Sequence, residues 1–110
     1  MTEKEKMLNG ESYFAYDPEL MQDHHHAKEL CQQYNQITVS DTQEKSRVLK
    51  ELFQADYAAH IEANFFCDYG YNIKLGKNFY ANHNLIILDG APVIIGDNVM
   101  IAPNVGIYAT

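Results

Sequence analysis

The chain has 110 residues, enough for one small domain, and carries 15 acidic against 8 basic side chains for a formal charge of −7. So acidic a chain offers no electrostatic footprint for nucleic acid or for an anionic membrane, and neither is expected as a partner. No apolar run approaches the roughly 20 residues that span a bilayer, and the polar start Met1-Thr2-Glu3-Lys4-Glu5-Lys6 lacks a leader's apolar stretch, so a cytoplasmic location is expected.

Up to about Ala58 the apolar residues recur at helical spacing. Thr2 suits the N-cap of a short helix running to Asn9, and Gly10 suits its end, because glycine tolerates the left-handed conformation found there. Glu11 to Pro18 reads as a connector. From Leu20 onward, Ala27, Leu30, Cys31 and Tyr34 mark one face of a second helix. Ser40 or Asp41 can cap a third, with Gln43 or Glu44 completing a capping box and Val48, Leu49, Leu52 and Phe53 forming its apolar face. Cys31 and Cys67 form no Cys-x-x-Cys pair and read as reduced, partly buried thiols.

After about Tyr69 the period changes to six. Leu75-Gly76-Lys77-Asn78-Phe79-Tyr80 is followed by Ala81-Asn82-His83-Asn84-Leu85-Ile86 and then Ile87. After a two-residue insertion near Ala91-Pro92 come Ile95-Gly96-Asp97-Asn98-Val99-Met100, Ile101-Ala102-Pro103-Asn104-Val105-Gly106 and Ile107. A second apolar series, Ile73, Phe79, Leu85, Val93, Val99 and Val105, runs two positions earlier, as alternate inward-facing strand residues require. Such a period is the mark of a hexapeptide β-helix, whose turns take Gly, Asn and Asp. An antiparallel sheet with recurring turn residues is the alternative. The expected fold is therefore mainly β under an α-helical cap, a left-handed parallel β-helix. Residues 1–60 form the cap and 61–110 start the β-helix, which should be incomplete at its C-terminus, because three hexapeptides make one coil.

Three stretches carry a family resemblance. They are Cys67-Asp68-Tyr69-Gly70-Tyr71-Asn72-Ile73, Gly76-Lys77-Asn78-Phe79-Tyr80-Ala81-Asn82 and Ile95-Gly96-Asp97-Asn98-Val99-Met100-Ile101-Ala102-Pro103. They resemble the maltose and galactoside O-acetyltransferases, and Glu3 to Met7, Gly10-Glu11 and Tyr13 to Asp17 resemble the helical cap of that family. The resemblance implies direct transfer of acetyl from acetyl-CoA to a hydroxyl of maltose, glucose or a related sugar. It also implies a homotrimer with active sites between subunits, and no metal. In the family a histidine is the general base, suited by a pKa near operating pH. Its motif should begin at Tyr108-Ala109-Thr110, so the base is expected beyond Thr110, and the chain alone is expected to be inactive. A non-catalytic, truncated assembly module is the competing reading.

Asn82 corresponds to an asparagine beside the catalytic histidine, placed to donate to developing negative charge. The resemblance puts Tyr80 in the acceptor pocket, where it would stack on a sugar face; a rim aromatic shielding the coil is the alternative. Asp89 and Asp68 could accept from sugar hydroxyls or simply form turns. Asp17 is the nearest candidate for the acidic cap residue that reaches the acceptor, although Ala15 occupies the aligned count. His24-His25-His26 reads as solvated helix surface, since successive helical residues diverge by about 100°. His60 and His83 suggest the zinc site of a hexapeptide carbonic anhydrase, but only His83 lies within the repeats, and a third ligand has no candidate there.

Overall fold

Helix α1 (Glu3–Leu8) starts at a reciprocal capping box: Glu5 N donates to Thr2 Oγ1 at 3.1 Å, and Thr2 N donates to Glu5 Oε1 at 2.9 Å. It ends at Asn9, and Gly10 follows with φ +74°. Helix α2 (Pro18–Asn35) has proline at its first position and Asp17 as N-cap, a pairing that suits a helix start because proline lacks the N–H that would go unused there. Helix α3 (Thr42–Phe53) is capped by Asp41, which accepts from Glu44 N at 3.2 Å. The expected capping box does not close, because the Glu44 carboxylate takes Arg47 instead. The stripes anticipated on α2 and α3 are buried as read: Ala27, Leu30, Cys31 and Tyr34, then Val48, Leu49, Leu52 and Phe53.

The computed structural model describes residues 1–110 and contains eight short strands after the helices. They are β1 (Ala59–Ile61), β2 (Phe65–Cys67), β3 (Ile73–Leu75), β4 (Phe79–Ala81), β5 (Leu85–Leu88), β6 (Val93–Ile95), β7 (Met100–Ile101) and β8 (Gly106–Tyr108). All pairing is parallel, in three sheets ordered β1-β4-β7, β2-β5-β8 and β3-β6, so the chain visits three faces in turn and returns to the first. The antiparallel alternative is thereby excluded. Inward residues alternate with outward ones on each strand, and Ile61, Phe65, Cys67, Ile73, Leu75, Phe79, Ala81, Leu85, Ile87 and Val93 join the helix stripes in one core. Phe66, Ile86, Ile94 and Met100 point outward and stay exposed.

Two expectations shift. The first strand begins at Ala59, so the coil takes up the last two residues of the expected cap, Ala59 and His60. The register pairs Ala59 with Phe79, Phe65 with Leu85, Ile73 with Val93 and Ile86 with Gly106, so every coil has 20 residues. The two-residue insertion seen near Ala91-Pro92 is therefore present in both coils, at the corner between the second and third faces. The other two corners are tight and turn on asparagines with left-handed backbone: Asn78 (φ 58°), Asn84 (68°), Asn98 (59°) and Asn104 (61°). Their side chains stack coil on coil, Asn64 to Asn84 at 3.4 Å, Asn84 to Asn104 at 3.0 Å, and Asn78 to Asn98 at 2.9 Å.

At the wide corner Gly70 has φ +86°, and a Cβ there would sit 2.4 Å from the Leu52 carbonyl oxygen of α3. Gly70→Ala is therefore expected to destabilise the fold by roughly 3 kcal/mol, read as a lowered denaturant midpoint.

Candidate functional site

The residues singled out in the sequence fall at two different corners of the coil. The wide corner lies under the cap and holds Asp68, Asp89 and the aromatic run Tyr69-Gly70-Tyr71. Asp68 sits on the rim, with its Oδ1 3.1 Å from His24 Nε2 of α2. His24 packs edge-on against Tyr69 at 5.7 Å, and Tyr69 stacks on Tyr71 at 5.5 Å. The Tyr71 hydroxyl donates to Asp23 at 2.7 Å, and Lys4 pairs with Asp23 at 3.1 Å while lying 4.4 Å above the Tyr71 ring. Together these contacts clamp α1 and α2 onto the coil. Burial pushes the Tyr69 phenol up to about 12 and raises Tyr71 further, so both rings stay neutral near pH 7. Beside Asp68 opens a cleft of about 340 Å³ lined by Tyr13, Ala15, Tyr16, Met21, His24 and Tyr69.

Asp89 is corrected by the structure. It is wholly buried beneath that corner and accepts from the backbone N–H of Asp68 (3.0 Å), Tyr69 (2.9 Å) and Gly70 (2.7 Å). A carboxylate enclosed in this way cannot meet a sugar hydroxyl; of the two readings open in the sequence, the turn-former holds. Burial pushes its carboxyl up, against the downward pull of the backbone donors. The Asn72 amide closes the corner by donating to the Asp89 carbonyl at 2.8 Å. Asp17 is half-buried and spends Oδ2 on capping α2, accepting from Glu19 N at 3.1 Å and Leu20 N at 3.4 Å. Its neighbour Tyr16 reaches the cleft.

The tight corner between the first and second faces holds the other pair. Tyr80, on β4, is half-buried and stacks face to face on His60 of β1, with centroids 5.2 Å apart and planes 11° from parallel. Asn82 follows directly. Its Oδ1 accepts from His83 N at 2.8 Å, which fixes the amide plane and leaves Nδ2 without a partner in the chain. His60 and His83 both turn toward Glu62, with nitrogen–oxygen distances of 2.6 and 3.8 Å. The His60 hydrogen bond holds the Glu62 carboxyl below the usual carboxylate range. Nowhere do three His, Cys, Asp or Glu side chains converge as ligands for a metal ion.

Tyr80 and Asn82 thus lie together, Asp68 lies at the next corner, and neither Tyr80 nor Asn82 lines the cleft beside Asp68. His24 corrects a second expectation: it is part-buried against the coil rather than solvated, whereas His25 and His26 remain exposed. The signal was present, because His24 falls at i+4 from Leu20 and i−3 from Ala27, on the stripe already read as packing surface. Tyr13, Tyr16 and Tyr69 were not singled out as individual site residues, and nothing in their spacing marks a common cleft.

A parallel coil with asparagine corners under a helical cap is the architecture of hexapeptide-repeat proteins. The sequence profile of the maltose acetyltransferase hexapeptide capping motif matches residues 6–55. The Saccharomyces cerevisiae protein YJL218W, a proposed acetyltransferase, is 52% identical over 106 residues, covering 94% of this chain and 54% of its own length. The crystal structure of a maltose O-acetyltransferase from Clostridium difficile 630 superimposes with TM-score 0.94 at 44% identity, over 98% of this chain and 58% of that one. A Vibrio cholerae hexapeptide-repeat acetyltransferase complexed with acetyl-CoA superimposes with TM-score 0.82 at 34% identity, over 96% of this chain and 57% of that one. The chain carries the maltose acetyltransferase capping motif and is similar to hexapeptide-repeat acetyltransferases over nearly its whole length, and it spans about half the length of the relatives it matches.

Proposed function

We propose that the protein containing this chain transfers acetyl from acetyl-CoA to a hydroxyl of maltose, glucose or a related sugar, on a left-handed β-helix assembled as a cytoplasmic homotrimer. The cleft at the wide corner is the observation that carries this reading. Its tyrosine rings suit the apolar face of a sugar, and Asp68, oriented by His24, offers a carboxylate oxygen to hydroxyl donors. Asn82, with Nδ2 free, donates to negative charge developing on the acyl oxygen, and Tyr80 lines the acceptor beside it. The general base is a histidine outside these residues. Because Asn82 and Asp68 occupy different corners, one subunit supplies Tyr80 and Asn82 while its neighbour supplies the cap cleft. Phe66 and Ile86, exposed neighbours on the outer side of one sheet, support such packing.

The test is release of free coenzyme A by the complete protein, with acetyl-CoA and a panel of maltose, glucose and galactosides. Sugar-dependent release is expected; its absence with every sugar, from a protein that still binds acetyl-CoA, would overturn the reading. Asp68→Asn should raise the KM for the preferred sugar by about tenfold or more, the loss of a charged hydrogen bond, and leave the KM for acetyl-CoA unchanged.

A further inference from the structure

The two cysteines of the chain, 36 residues apart, meet in the core: Cys31 Sγ of α2 lies 3.8 Å from Cys67 Sγ of β2. Neither helix nor strand is free to drift. Asn35, one turn beyond Cys31, binds both backbone groups of Phe65, accepting from its N–H at 2.8 Å and donating to its carbonyl at 3.0 Å. The Tyr34 hydroxyl donates to the Ile61 carbonyl. The thiols are buried, yet both border a cleft of about 450 Å³ whose other walls are Lys28, Gln32, Asn35, Gln36, Asn64 and Phe66. Two thiols held face to face, beside an opening lined by an ammonium and four amides, differ from inert cysteines sealed in an apolar core.

We propose that Cys31 and Cys67 are a reversible dithiol–disulfide pair, closed by a peroxide that enters through this cleft. The Cys31 thiolate attacks one peroxide oxygen; the O–O bond breaks, hydroxide departs and is protonated to water, and Cys31 becomes a sulfenic acid. The Cys67 sulfur then attacks the sulfenic sulfur. The S–O bond breaks, hydroxide leaves with the Cys67 proton as a second water, and the disulfide forms. Two electrons pass from the dithiol to the peroxide, and a small thiol returns them by exchange. Closing the sulfurs from 3.8 Å to a bond length of about 2 Å takes a movement of roughly 2 Å. The thiols are unequal, as this order requires. The contact with Cys67 holds Cys31 below its ordinary value, while the same contact and burial push Cys67 well above it.

The experiment treats the reduced chain with equimolar hydrogen peroxide, denatures it in iodoacetamide and measures intact mass and linked peptides. The expected product is about 2 Da lighter, takes no alkyl group, contains a Cys31–Cys67 peptide and reverts with dithiothreitol. Before denaturation it should melt roughly 10 °C higher than the reduced form, because the cross-link restricts the unfolded chain. Cys31→Ala and Cys67→Ala, confirmed folded by circular dichroism, should show no such loss of mass. Two alkylated thiols after peroxide, oxygen added to single cysteines, or cross-links only between chains would each overturn the proposal. Peptide mapping of the unmutated chain decides the matter even if neither variant folds.

Discussion

Asn82→Ala in the complete protein is expected to lower kcat for acetyl transfer by about 10²- to 10³-fold, while the KM for sugar changes less than threefold. The corner geometry is the reason. Asn82 Oδ1 is tied to the N–H of His83, so the amide is held before any ligand arrives and Nδ2 needs no reorganisation to donate. A donor fixed in this way acts on charge that appears during the reaction, so it contributes to the rate more than to ground-state binding. Asn82→Asp keeps the acceptor toward His83 but removes the donor and adds a negative charge, so its loss of kcat should equal or exceed that of alanine. Steady-state kinetics on both variants check this. An unchanged kcat would remove Asn82 from the site.

Asp89→Ala is expected to destabilise the fold by about 3–5 kcal/mol, because it strips three backbone N–H groups at the wide corner of their buried acceptor. Asp89→Asn keeps one carbonyl oxygen but turns an NH₂ group toward donors, and should recover only part of that loss. The measurement is the urea midpoint of each variant against the unmutated chain. A cost below about 1 kcal/mol would show that the corner holds its shape without the carboxylate. Asp89 supports the backbone that carries both Asp68 and Tyr69, so in the complete protein Asp89→Asn should also raise the sugar KM.

The helical cap was largely legible because its signals are local. Thr2, Gly10 and the stripes on α2 and α3 act within a few residues, and the structure places each as read. The six-residue frame from Ile73 to Ile107 was equally plain. The preceding half-coil was less plain, because of its inward positions Ala59, Ile61, Phe65 and Cys67 only Ile61 is one of the large aliphatic residues that mark the repeat. The wide corner also sets Phe65 and Ile73 eight residues apart, which breaks the count before it is established. The site was legible only in part. Asp68 and Asp89 look alike as acids at turns, and only the direction of the corner separates a rim carboxylate from one folded under the backbone. His24 reads as solvated because it stands in a run of three histidines, although its own position matches the packing stripe.

The 20-residue register between coils has a consequence for how such a chain can change over generations. Inward and outward positions alternate singly, so one residue gained or lost within a strand would exchange core and surface from that point to the next corner. It would also put the asparagine stacks out of step. Insertions and deletions are thus confined to the wide corner or to whole multiples of a coil. The prism lengthens in quanta of about 4.8 Å, the spacing of paired strands, rather than by continuous drift.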